Sequence, residues 1–154
     1  MQKIEEVIDF VLNGSPVSSL TGKEFQKSEE SLLERVAKFY ETEYQSKAVS
    51  PELGEVVMNR KSVKDSLAHG IGSLKAAAFA AVHDVIEKGR VFDHQANWKG
   101  RGKDTYVIAA PITIGDVRYV CEVIVEKNPD SNRFYLHEVN LRDDVATTLQ
   151  DPNR

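Results

Sequence analysis

The stretch Thr105-Tyr106-Val107-Ile108-Ala109-Ala110-Pro111-Ile112-Thr113-Ile114-Gly115-Asp116-Val117-Arg118-Tyr119-Val120-Cys121-Glu122-Val123-Ile124-Val125-Glu126-Lys127 decides the fold class. Two β-branched, apolar runs, Tyr106 to Ile114 and Val117 to Lys127, flank Gly115-Asp116, a pair suited to a tight hairpin turn. In the second run Val117, Tyr119, Cys121, Val123 and Val125 share one face, with Arg118, Glu122 and Glu126 on the other. That period of two is the mark of a strand with one face in a core. Asn128-Pro129-Asp130-Ser131-Asn132 makes the next turn, and Phe134 to Leu141 is a third strand. Its apolar parity slips. Phe134 and Leu136 take one face and Tyr135 and His137 the other, yet Val139 and Leu141 fall on the Tyr135 side. Either a β-bulge occurs near His137-Glu138, or one face changes from polar site to core, and both are irregularities typical of functional sites.

Working back toward the N-terminus, the period lengthens to that of helices. Ser73 to Lys88 carries Leu74, Ala77, Ala78, Ala81, Val82, Val85 and Ile86 as a buried stripe and stops at Gly89. Ser62-Val63-Lys64-Asp65 reads as a capping box opening a short helix that ends at His69-Gly70. Gly54 to Met58 is a brief strand. A strong helix is expected from Ser28 to Ser46, with Ser31 and Glu34 as a capping box, and a short one from Lys3 to Leu12, stopped by Asn13-Gly14. Ser15 to Gly22 and Asp93 to Asp104 read as loops. The expected architecture is therefore α+β, with N-terminal helices packed on a C-terminal antiparallel sheet of about four strands. One domain spans 1–154: a helical part (1–48), a core (50–142) and a tail (143–154).

At 154 residues the chain is long enough to bury a core without disulfides or metals. Its longest apolar run, Ala76 to Val82, is too short to span a bilayer, and the acidic helical opening is no signal peptide, so a cytoplasmic site of action is expected. Cys121 is the only cysteine and reads as a buried small hydrophobe or a reactive thiol. The net charge is −4, but residues 54–104 carry nine Lys/Arg against six Asp/Glu. A local basic region attracts phosphate even when the total is negative.

Four histidines, His69, His83, His94 and His137, lack metal-ligand spacing, so neither a metal nor a cofactor is expected. Gly70-Ile71-Gly72-Ser73 is either a helix corner or an anion site. On a helix opened at Ser62, the residues Ser62, Ser66 and His69 share one side, with Lys61 and Lys64 close by. The segment 93–105 sets Arg101 and Lys103 around Trp98, an arrangement that either stacks on a base and neutralises phosphate or folds its indole back on the core. RNA cleavage by the 2′-hydroxyl needs a base, an acid and cations but no metal. Imidazoles suit the first two roles and Lys or Arg the last.

Five segments carry a family resemblance. They are Gly54-Glu55-Val56-Val57-Met58, Ser62-Val63-Lys64-Asp65-Ser66 to His69-Gly70, Lys75-Ala76-Ala77-Ala78-Phe79, Tyr106 to Ile112, and Arg133-Phe134-Tyr135-Leu136-His137-Glu138-Val139. In this order they resemble the large polyvalent-protein-associated domains of phage and mobile-element proteins, including MuF-type minor head proteins. That group is similar to the barnase/EndoU/colicin/RelE-like nucleases. The resemblance implies a ribonuclease-type toxin domain acting on RNA, for instance a tRNA, with a cognate immunity or antitoxin protein as a further partner. Its matched motifs contain His69, Tyr135 and His137. The expected site is then His69, His137, Tyr135 and Lys64 for catalysis, with Lys61, Ser62, Ser66, Trp98, Arg101 and Lys103 holding substrate. The alternatives are a non-catalytic RNA- or protein-binding module and an immunity-like protein.

Overall fold

A computed structural model of the chain describes residues 4–26, 28–68, 73–95 and 103–143. In chain order the elements are α1 (Ile4–Asn13), β1 (Ser19–Leu20), α2 (Leu32–Tyr44), β2 (Lys47–Ser50), β3 (Gly54–Val57), α3 (Arg60–Leu67), α4 (Ser73–Ala78), α5 (Val82–Lys88), β4 (Arg90–Gln95), β5 (Asp104–Ile114), β6 (Val117–Lys127) and β7 (Phe134–Arg142). The class is α+β. The hairpin read from sequence is its spine: β5 and β6 pair antiparallel from Asp104↔Lys127 to Ile114↔Val117, around a turn with Gly115 at φ 62°. Positive φ there is what glycine supplies without strain.

The sheet corrects the expectation of about four antiparallel strands. Among the described residues it has seven, in the order β1-β5-β6-β7-β3-β2, with β4 also paired to β5, and it is mixed: β1 runs parallel to β5, and β3 parallel to β7. The extra strands come from segments too short or too polar to show an alternating run. β1 lies in the stretch expected to be a loop, and β4 takes Asp93, His94 and Gln95 out of the expected polar loop. β2 follows Gln45 and Ser46, which end α2 with positive φ (54° and 59°), and pairs with β3 as a hairpin. Nor are the helices gathered at the N-terminus, since α3 to α5 intervene between β3 and β4.

Two helix boundaries also move. Ser31 caps α2 as expected, accepting from the Glu34 N–H at 3.2 Å, but the helix starts at Leu32 rather than Ser28. The cap of α3 is Asn59 and not Ser62, its side chain accepting from the Ser62 N–H at 2.9 Å. Asparagine caps at least as well as serine, and it lies three residues nearer β3. The expected helix 73–88 breaks into α4, a 3₁₀ turn at Phe79–Ala81, and α5. At the break the buried Tyr40 hydroxyl donates to the Phe79 carbonyl at 2.7 Å.

One face of the sheet builds the main core. Ile108, Ala110, Ile112, Cys121, Val123, Val125, Leu136 and Val139 meet Val36 and Tyr40 of α2 and Val82, Val85 and Ile86 of α5. Gly89 lets the end of α5 approach β5, because a Cβ there would lie 2.4 Å from the Val85 carbonyl oxygen and 2.8 Å from that of Ala109. On the opposite face α1 sets Val7 and Val11 on Ala109 and Val120, and the Arg118 guanidinium closes its C-terminus by donating to the Val11 and Gly14 carbonyls, each at 2.8 Å. Two carboxylates cover outward backbone N–H groups of the sheet margins: Glu87 accepts from Val49 of β2 at 3.1 Å, and Glu52 from Val91 of β4 at 3.2 Å. No described helix is long and apolar enough to cross a membrane.

Candidate functional site

Of the two readings of the broken parity near His137, a bulge or a face that changes character, the bulge is the one present. Along β6 and β7 the register runs Glu126↔Tyr135, Val125↔Leu136 and then Ile124↔Glu138, so His137 is the extra residue on β7. The inserted residue resets the alternation, as bulges do. Phe134 and Leu136 pack on the main core before it, and Val139 and Leu141 after it. The same shift lets His137 share the opposite face with Glu126, although neither is the other's register partner. Its Nδ1 lies 3.7 Å from Glu126 Oε2, an ion-pair rather than a hydrogen-bond distance.

Glu126 has a second partner. Its Oε1 lies 3.1 Å from Lys103 Nζ, so one carboxylate stands between an ammonium and an imidazole. The side chains of Glu126 and His137 are only 12% and 10% exposed, which places their interaction in a medium well below the dielectric of water.

This carboxylate lines a cleft of about 230 Å³ together with Asn59, Lys61, Ser62, Asp65, Lys103, Asn128 and Tyr135. One wall is α3 from its Asn59 cap to Asp65, which contributes Lys61, Ser62 and Asp65. The other is the β6–β7 hairpin, whose turn is tied by Asn128 Oδ1 accepting from the Asp130 and Ser131 N–H groups. The volume lies below the roughly 300–1,000 Å³ of sites that engulf a small molecule, so the cleft suits part of a longer ligand. A second hollow, beside Asp93, Thr105, Val107 and Glu138, has only about 20 Å³ and holds little more than one water.

Of the residues singled out from sequence, the fold brings Lys61, Ser62, Lys103 and Tyr135 into this cleft and sets His137 behind its Glu126 wall. Lys64 is exposed and is not among the lining residues. Ser66 is fully buried and its hydroxyl donates to the Ser62 carbonyl at 2.8 Å, while the Ser62 hydroxyl donates to Asn59 O at 2.8 Å. Both serines thus brace α3 from within. His69, Trp98 and Arg101 lie outside the described residues. Sequence reasoning missed Asn59, Asp65, Glu126 and Asn128 as site residues. Glu126 carried a usable signal, its place on the polar face of β6 level with Tyr135. Further along that face Glu122 is fully buried, 3.2 Å from Arg142 Nε. Lys75 of α4 is held below the usual lysine value by burial, with Arg142 acting the same way and Glu138 opposing. Among the described residues no three His, Cys, Asp or Glu side chains converge as a metal site.

No curated protein and no solved structure matches the chain. The family model for large polyvalent protein-associated domain 3 matches residues 27–135, a span that takes in every residue lining the cleft. The chain belongs to the large polyvalent protein-associated domain 3 family.

Proposed function

We infer that the domain is a ribonuclease of phage or mobile-element origin that cleaves RNA by 2′-hydroxyl attack without a metal, as in the barnase/EndoU/colicin/RelE-like nucleases. The observation carrying this reading is the Glu126 carboxylate, held between Lys103 Nζ and His137 Nδ1 in a cleft that also takes Lys61 and Tyr135. In this mechanism Glu126 takes the proton of the 2′-hydroxyl as that oxygen bonds to the adjacent phosphorus. Lys61 and Lys103 neutralise the phosphorane, and the P–O5′ bond breaks as the leaving oxygen takes a proton from the Tyr135 hydroxyl. His137 stands behind Glu126 and does not touch the substrate. Solvent restores the protons, and the products are a 2′,3′-cyclic phosphate and a 5′-hydroxyl. The substrate is RNA, a tRNA being one selective form, and a cognate immunity or antitoxin protein is the expected partner in the cytoplasm of a host cell.

The decisive experiment is incubation of purified protein with tRNA and single-stranded RNA in excess EDTA. Cleavage to cyclic-phosphate ends is expected, lost by about 10²-fold or more in Glu126→Gln, with DNA of the same sequence left intact. No cleavage by folded wild-type protein would reject the enzyme. One observation favours the second reading, a non-catalytic binding module: Asp65 and Glu126 balance Lys61 and Lys103 in the cleft, a pairing that also suits a charged peptide. Peptide or RNA capture without turnover would support that module.

A further inference from the structure

Alternation along β5 and β7 splits neighbouring residues between two surfaces. Lys103 and Tyr135 line the cleft, whereas their neighbours Asp104, Tyr106 and Phe134 belong to the opposite face, at the rim of the main core. At that rim the exposed His94 of β4 stacks on Tyr106, with ring centroids 4.2 Å apart and planes 9° from parallel. Tyr106 in turn meets Phe134 edge-on, centroids 5.5 Å apart at 74°. Lys127 Nζ stands 5.9 Å from the Phe134 ring centre, and Asp104 Oδ2 lies 3.8 Å from His94 Nε2, steadying the outermost ring. The rim is not closed by apolar side chains alone. It ends in an exposed imidazole and carries an ammonium over its aromatic edge.

We propose that His94, Tyr106, Phe134 and Lys127 form a base-stacking platform for a single-stranded nucleic acid whose backbone passes through the Lys61–Lys103 cleft. The proposal rests on the RNA reading of that cleft. Flat rings take an unpaired nucleobase by stacking irrespective of its identity, and Lys127 supplies the charge for the adjoining phosphate. Platform and cleft lie back to back across the ends of β5 and β7, so a flexible strand serves both by rounding those ends. A duplex, with its bases already stacked, could use neither ring surface. The occupant is therefore an unpaired segment, and the platform selects for strandedness rather than for sequence.

Binding is read by fluorescence anisotropy on the full chain with short labelled single-stranded DNA, which lacks the 2′-hydroxyl and stays intact. An abasic deoxyribose-phosphate strand of equal length is the comparison. The base-bearing strand is expected to bind about tenfold more tightly than the abasic one, and His94→Ala to bring the ratio close to unity without changing affinity for the abasic strand. Lys127→Gln is expected to weaken both strands alike. Equal affinity of wild-type protein for the two strands, no binding of either, or an unchanged ratio in His94→Ala overturns the platform. RNA cleavage accompanied by base-independent binding removes the platform alone. Base-dependent binding without RNA cleavage keeps the platform and removes the nuclease.

Discussion

His137 and Glu126 meet because a strand is one residue too long: the imidazole of the bulged position comes within 3.7 Å of a carboxylate that pairs in register with Tyr135. Without the inserted residue, alternation along β7 would turn Val139 and Leu141 away from the core. The bulge therefore holds Leu136 and Val139 inside while presenting His137 to the opposite face.

The ammonium of Lys103 completes this pair, and its removal separates a chemical role from a structural one. The Lys103 side chain is 37% exposed, so its contact with Glu126 contributes at most about 1 kcal/mol to stability. Lys103→Met is expected to shift the urea midpoint little and to lower RNA cleavage about tenfold or more through lost charge on the phosphorane. Unaltered cleavage would show that Lys103 only decorates the cleft.

Glu87 has two duties on an exposed margin, accepting from the Val49 N–H and lying 3.2 Å from His83 Nε2, whose ring stacks on Tyr44 at 3.8 Å. Glu87→Ala uncovers the outer edge of β2, where Val49 is already 55% exposed. Uncovered edges recruit further strands. Sedimentation velocity should reveal concentration-dependent self-association in Glu87→Ala that wild-type protein lacks, with a stability loss of about 1 kcal/mol. A strictly monomeric variant would deny Glu87 this protective role.

Cys121 is sealed in the main core, where burial, reinforced by the Glu122 carboxylate, pushes its thiol up to about 12. Burial also raises the Tyr40 hydroxyl well above the usual tyrosine value. In the unfolded chain these groups ionise from about pH 8.5 and 10 upward. Above those values the unfolded state binds fewer protons than the native one, so stability falls as pH rises. Urea midpoints are expected to hold up to about pH 8.5 and to decline progressively beyond it. The thiol should resist a disulfide reagent at pH 8 until the protein is unfolded. Stoichiometric labelling of native protein would contradict the burial.

The spine of the fold was legible because β5 and β6 are long, β-branched apolar runs on either side of the Gly115-Asp116 turn. β1, β2 and β4 were not, for three different reasons. Ser19–Leu20 is too short to show a period. Lys47–Ser50 follows α2 after two residues with positive φ. In β4 the irregular register between Val91 and Asp93 scrambles the alternation. Tyr135 and His137 surfaced as site residues because their parity was visibly broken. Asn59 and Asn128 did not, since a helix cap and a turn asparagine look alike whether or not a cleft lies beside them. Glu126 was placed on the correct face, but nothing local in β6 announces that a histidine eleven residues later will reach it.

The parallel junction of β3 with β7 consists of two residue pairs, Val56↔Phe134 and Val57↔Tyr135, against eleven between β5 and β6. Only the β1–β5 junction, also of two pairs, is as narrow, and the walls of the cleft stand on either side of the β3–β7 seam, Asn59 to Asp65 after β3 and Glu126 to Tyr135 across from them. Whatever fills that hollow touches both sides of a junction that few backbone bonds join. Occupancy thus tightens the joint on which the pocket itself depends, and prying the seam apart would expel the guest.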